Sequence, residues 1–208
     1  ASIMRPNAKS LSATVAAGYS LGRALHGRWV GLTAAGLLAT NYWHVTVSRN
    51  GYPNVLIPPL EALSAFFLWR AWRHEAGGRA ADWLLGGAFA GLVLYTYLAA
   101  RFWPVLLLLF LAYLAVVDRP AVRRKARGLM MAATAAVIVF LPLGLHFQRH
   151  PGDFTQRADQ VLAWRQTAGL DLVRALVRNF VATARGALGS GDPRWHYNLP
   201  GRAMLQPW

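Results

Sequence analysis

Five stretches of this chain carry almost no charge, and each is long enough to cross most of a bilayer. They are Trp29 to Ser48, Asn50 to Trp69, Trp83 to Ala100, Phe102 to Val117 and Gly128 to Gln148, interrupted only by Glu61 and by the neutral-capable His44 and His146. A helix of about 20 apolar residues spans a hydrocarbon core of roughly 30 Å, so the shorter runs must borrow flanking residues. Leu11 to Gly22 is short and rich in Ala, Ser and Gly. Small residues let helices approach closely in lipid, and this segment reads as the end of one more span. The expected fold class is all-α membrane, with about six transmembrane helices over residues 1–147.

Composition agrees. Hydrophobic residues make up 55% of the chain and charged residues 14%, against about 25% charged in a typical soluble domain. A net charge of +14 would suit a nucleic-acid binder, but the basic residues here lie between apolar runs, where a bilayer places them. No nucleic-acid partner is expected. With no cysteine there is neither a disulfide framework nor a thiolate site. The N-terminus shows no signal-peptide pattern and no starting Met, so the chain reads as an excerpt of a longer protein.

The connectors set the orientation. Arg23 and Arg28 follow the first span, Arg49 stands alone in the next connector, and Arg70, Arg73 and Arg79 fill the one after. Arg101 is again alone, and Arg119, Arg123, Arg124, Lys125 and Arg127 come next. The positive-inside rule assigns the rich connectors to the cytoplasm. His44, Arg49, Arg101 and everything beyond His146 then lie outside. Residues 148–208 form a polar outer segment. Within it, Leu170, Val173, Leu176, Val177, Phe180, Val181 and Ala184 recur at helical spacing, with Arg174, Arg178 and Arg185 on another side. That pattern suits an amphipathic helix on the membrane surface, or one packed on a soluble subdomain. The GSGDP turn at 189–193 ends it.

Several outer residues carry chemistry. The connector NYWHVTVSRNGYPN combines Trp43, His44, Ser48, Arg49, Tyr52 and Asn54. A guanidinium presents a fork of donors matched to phosphate, and a histidine can donate to phosphate or move a proton. The same residues would also make an interfacial belt of aromatics and headgroup-binding Arg. Glu61 follows Pro58 and Pro59 between apolar neighbours. A carboxylate there should face the bundle or a wet cavity, as a partner of an Arg or as a functional group. Arg101 follows Tyr97 at a tight outer turn; it either holds a phosphate beside Arg49 or snorkels to headgroups. Asp192, His196 and Asn198 in GDPRWHYN could hold a divalent ion, though ordinary Asp-Pro turn chemistry explains them as well. The chain shows no Gly-rich phosphate loop, nucleophile elbow or zinc spacing, and no cofactor or metal is assigned.

The order GRALHGRWVGLTAAGLLATNYWHVTVSRNGYPNVLIPPLEALSAFFLWRAWR, then LLGGAFAGLVLYTYLAARFWPVLLLLFLAYL, resembles bacterial members of the protein mannosyltransferase and aminoarabinose transferase superfamily, which have the GT-C fold. The tail GDPRWHYNLPGRAML is similar to the outer loop of some of them. The resemblance covers nearly the whole chain, and the His44-x-x-x-Ser48-Arg49 loop carries much of it. It implies a glycosyltransferase of the bacterial inner membrane that moves a hexose or pentose from a polyprenyl-phosphate donor at the outer face. In such inverting enzymes an acidic base takes the acceptor's proton while cations stabilise the departing lipid phosphate. His44, Arg49 and Arg101 would bind that phosphate, and Ser48, Tyr52, Asn54, Tyr97, Asp192 and His196 would line the site. The family's main catalytic Asp would precede Ala1, so the excerpt alone is expected to be inactive. Where many members carry an RPD-like acid, this chain has Gly51-Tyr52-Pro53-Asn54, which leaves Glu61 as a weak substitute base. The competing classes are a flippase or polytopic carrier for lipid-linked sugars, which a proline-broken helix would suit, and a non-catalytic scaffold. Single cysteines at Ser48 and Gly189 should label from outside and one at Gly128 only from inside; inside labelling at Ser48 would overturn the orientation.

Overall fold

A computed structural model describes residues 8–50, 53–74, 77–152 and 169–189. All regular elements among them are helical. They are α1 (Ala8–His26), α2 (Arg28–Thr40), α3 (Tyr42–Asn50), α4 (Ile57–Arg73), α5 (Ala80–Val93), α6 (Phe102–Val117), α7 (Arg119–Arg124), α8 (Ala126–Arg149) and α9 (Gly169–Leu188), with 3-10 turns at Pro53–Leu56 and Leu98–Arg101.

Two segments are long and apolar enough to cross a membrane, Leu98–Val117 and Ala126–Arg149; Ala80–Val93 is apolar but shorter. They correspond to the third, fourth and fifth runs. Six full spans are not seen among the described residues. The run from Trp29 to Ser48 breaks at Asn41, and α4 starts only at Ile57, so these helices are shorter than the uncharged runs containing them. Both prolines fall in the first turn of α4, where a missing N–H costs nothing. The helix is therefore not broken by them, and the broken-helix argument for a carrier lapses.

Polar ties gather the arginine-rich connectors at one end. There, Trp69 Nε1 donates to the Ala24 carbonyl at 3.1 Å and Arg73 donates to it at 3.2 Å. Arg70 makes a two-pronged ion pair with Asp82, whose carboxylate is fully buried in the first turn of α5. Lys125 Nζ donates to the carbonyls of Trp72 and, at 2.7 Å, of His74. These are carbonyls that the end of α4 leaves without helical partners. Between the ends, α1 packs on α2 and α4, α4 on α5, and α5 on α8.

Backbones touch where glycine allows it. The α1–α2 hairpin turns at Gly27, whose φ of 93° suits glycine alone. On α5, Gly87 and Gly91 form a GxxxG pair against α8: a methyl on Gly87 would overlap the Ala132 carbonyl, and one on Gly91 would come within 2.7 Å of the Ala136 carbonyl. Such small-residue faces are how helices associate where lipid removes the hydrophobic drive.

Gly36 of α2 has nothing within 4 Å of an added Cβ. Gly87→Ala is expected to lower the thermal unfolding midpoint in detergent, at a cost of about 1–3 kcal/mol for overpacking. Gly36→Ala should leave it unchanged or raise it, since Ala exceeds Gly in helix propensity by about 1 kcal/mol. Equal effects at the two positions would refute the close α5–α8 contact. For the topology test, Ser48 and Gly128 prove to be buried, so the exposed Tyr97 and Arg119 are the better labelling positions.

Candidate functional site

At the opposite, arginine-poor end, the described residues singled out from sequence fall on four elements. Asn41 decides the first. Its backbone is extended (φ −69°, ψ 114°), which ends α2, and its side-chain oxygen accepts from the His44 N–H at 2.8 Å. Asn is among the best N-caps, so the same residue that stops α2 starts α3. His44, Val47 and Ser48 then follow at i, i+3 and i+4, and all three are buried. α3 packs on α1, where Ser10, Thr14 and Ala17 are buried.

Three polar atoms in this region are buried without a hydrogen bond: His44 Nε2, Ser48 Oγ and, in the adjacent 3-10 turn, Asn54 Oδ1. An unsatisfied buried polar group costs about 1–3 kcal/mol, so three together are unusual in a region kept only for stability. His44 and Ser48 share one helix face, about one turn apart. Arg49 is the next residue on α3, and its side chain lies outside what the structure describes, as does that of Trp43.

Glu61 is half-buried one turn into α4, near its start rather than at mid-helix. It has no hydrogen bond or ion pair with another described residue; within the bundle it is Asp82, at the other end, that pairs with an arginine. One turn on, Ser64 is fully buried, donates to the Gly86 carbonyl at 3.0 Å and accepts from Trp103 Nε1 at 3.4 Å. Ser64 thus joins α4, α5 and α6. Nothing in the sequence marked it, because a lone Ser in an apolar run reads equally well as a helix-packing residue.

Arg101 closes the 3-10 turn between α5 and α6, and its guanidinium sits 5.2 Å from the centre of the Phe147 ring, in the last turn of α8. A cation over an aromatic face is held in place without losing its charge. Beside it, Tyr97 is exposed and extended, and the Tyr95 hydroxyl donates to the Val139 carbonyl at 2.8 Å. The structure therefore brings His44 and Ser48 together on α3, and it fixes Arg101 against α8. α3 packs on α1 and α2, whereas the turn bearing Arg101 packs on α6. Tyr52, Asp192, His196 and Asn198 lie outside the described residues. No cluster of three potential metal ligands occurs among the described residues.

A cavity of about 680 Å³ opens between α6 and the face made by α1, α4, α5 and α8. Its walls are almost wholly apolar. Trp72, Trp83 and Leu129 line it toward the arginine-rich end, and Leu94, Trp103 and Phe140 toward the other. Ala65, Leu68 and Trp72 of α4 line it at helical spacing, and Glu61 continues that stripe one turn nearer the arginine-poor end. α6 itself is mostly exposed along its length.

Removing the polar atoms that lack partners should not destabilise the fold, since an apolar replacement ends the desolvation cost. Ser48→Ala is expected to hold or raise the unfolding midpoint. A fall of several degrees would reveal a stabilising partner for its hydroxyl and remove the argument that it is kept for a ligand.

A family model described as dolichyl-phosphate-mannose-protein mannosyltransferase matches residues 2–146. No curated protein and no solved structure matches the chain.

Proposed function

Because this chain belongs to the dolichyl-phosphate-mannose-protein mannosyltransferase family, whose members are membrane glycosyltransferases using polyprenyl-phosphate sugar donors, we propose that it transfers a sugar from such a donor to an acceptor hydroxyl at the outer membrane face. The observation that carries this reading is the apolar cavity along the bundle, with Glu61 and Arg101 toward the same end of it. A polyprenyl phosphate needs that pairing: an apolar slot within the membrane for the tail and a cationic site at the surface for the headgroup. Leu107 and Leu111 would flank the tail.

The chemistry assigned to the headgroup is one displacement. The acceptor oxygen forms a bond to the sugar's anomeric carbon while the bond from that carbon to the phosphate oxygen breaks. Negative charge grows on the leaving phosphate, and Arg101 and Arg49 are the groups proposed to stabilise it. His44 is proposed to donate to the same phosphate, and Ser48, Asn54 and Tyr97 to line the pocket. The acceptor's proton passes to a carboxylate. The resemblance assigns that role to an Asp upstream of Ala1, with Glu61 the acidic residue of this chain at the arginine-poor end of α4.

The test uses the full-length enzyme in proteoliposomes with a radiolabelled polyprenyl-phosphate sugar. Arg101→Gln and Arg49→Gln should each raise the donor KM by roughly ten- to 150-fold, the equivalent of about 1.5–3 kcal/mol for a charge-assisted contact. Neither should move the unfolding midpoint comparably, and Lys should rescue only in part because it lacks the planar fork. Unchanged KM in both variants would mark them as headgroup anchors. Leu111→Trp, which fills the cavity, should raise KM for a long-chain donor and spare a short-chain analogue; equal sensitivity would show that the tail lies elsewhere.

A further inference from the structure

α9 is as long as a span, yet its sequence suits a surface. Gly169–Leu188 contains Asp171, Arg174, Arg178 and Arg185, and burying four charges at mid-bilayer is prohibitive beside laying them at an interface. At 100° per residue, Leu176, Phe180, Val173, Val177 and Val181 occupy an arc about 140° wide. All five are exposed, Phe180 by 75%. The three arginines fall within about 40° of one another and directly flank that arc on one side. Asp171 pairs with Arg174 at 3.3 Å, but both are largely exposed, so the pair neither hides nor neutralises the stripe. Among the described residues, α9 takes part in none of the main helix–helix contacts of the bundle.

The tether fixes where this face can go. α8 ends at Arg149, and residues 150–168 reach at most about 65 Å when fully extended. α9 is therefore held within about 65 Å of the end of α8, and the leaflet at which α8 emerges lies within that reach. A continuous apolar arc with cations along one edge complements one nearby surface in both respects: acyl chains below, anionic phosphates beside them.

We propose that α9 lies flat on that leaflet, with Val173, Val177 and Phe180 in the acyl boundary and Arg174, Arg178 and Arg185 on anionic lipid headgroups. Each arginine near an anionic surface adds about fivefold to the docked population. The interaction is independent of the transferase reading.

The chain has no cysteine, so single-cysteine spin labels carry no background. The full chain is reconstituted in vesicles of phosphatidylglycerol and phosphatidylcholine, and in vesicles of phosphatidylcholine alone. A label at Phe180 should be open to oxygen and shielded from a water-soluble nickel chelate, and a label at Ala175, on the opposite side, should show the reverse. Docking should weaken at least fivefold in phosphatidylcholine alone and on replacing all three arginines by Gln. A Phe180 label shielded from both probes would mean that α9 packs on protein, and one open to the chelate would mean that it stands in water. Either result overturns the proposal, as does equal embedding in both lipids.

Discussion

The bundle depends on cations meeting helix C-termini. In lipid, apolar side chains gain nothing by leaving one hydrocarbon for another, so helices are held by close contact and by polar ties. Here the ties concentrate where the chain is richest in arginine and lysine. Lys125 takes the carbonyls that α4 leaves open, Trp69 and Arg73 take the Ala24 carbonyl near the end of α1, and Arg70 holds Asp82 at the start of α5. Apart from the neutral indole of Trp69, each contact places positive charge at the negative end of a helix or negative charge at a positive end. The Gly87–Gly91 contact then locks α5 onto α8 between the ends.

With one end tied, the other can be organised for binding. α3 keeps buried polar atoms unpartnered, Glu61 carries a carboxylate with no described partner, and Arg101 is steadied by an aromatic ring. Such groups cost stability, and a fold tied firmly elsewhere can tolerate them. Membership of a family of lipid-linked glycosyltransferases suggests a use for that cost, the headgroup site proposed above beside an apolar cavity.

Much of this was legible in the sequence, for reasons that differ by residue. Long uncharged runs announce helices, and α6 and α8 followed directly from theirs. Alternating arginine counts sorted the connectors into two ends, and the Lys125 and Arg70 contacts gather the rich ones together. The break at Asn41 was hidden, since an uncharged Asn within an apolar run gives no sign of whether it continues one helix or caps the next. The pairing of Arg70 with Asp82 was equally hidden, because two helix ends meet only through the fold; Glu61 looked the better partner merely for lying amid apolar residues. Orphaned atoms such as His44 Nε2 exist only as a property of packing, and no spacing rule reveals them. The resemblance supplied what physics could not, namely the kind of molecule proposed for the arginine-poor end.

One wall of the cavity is a single helix, α6, exposed along most of its length and joined to its neighbours through short turns. A cavity closed on that side by one helix admits an occupant sideways, from within the leaflet. The search for such an occupant is two-dimensional. For the proposed lipid-linked donor, the rate is then set by the number of carriers per unit area of membrane, so doubling the volume of the surrounding solution would change nothing, while diluting the bilayer with inert lipid would slow capture in proportion.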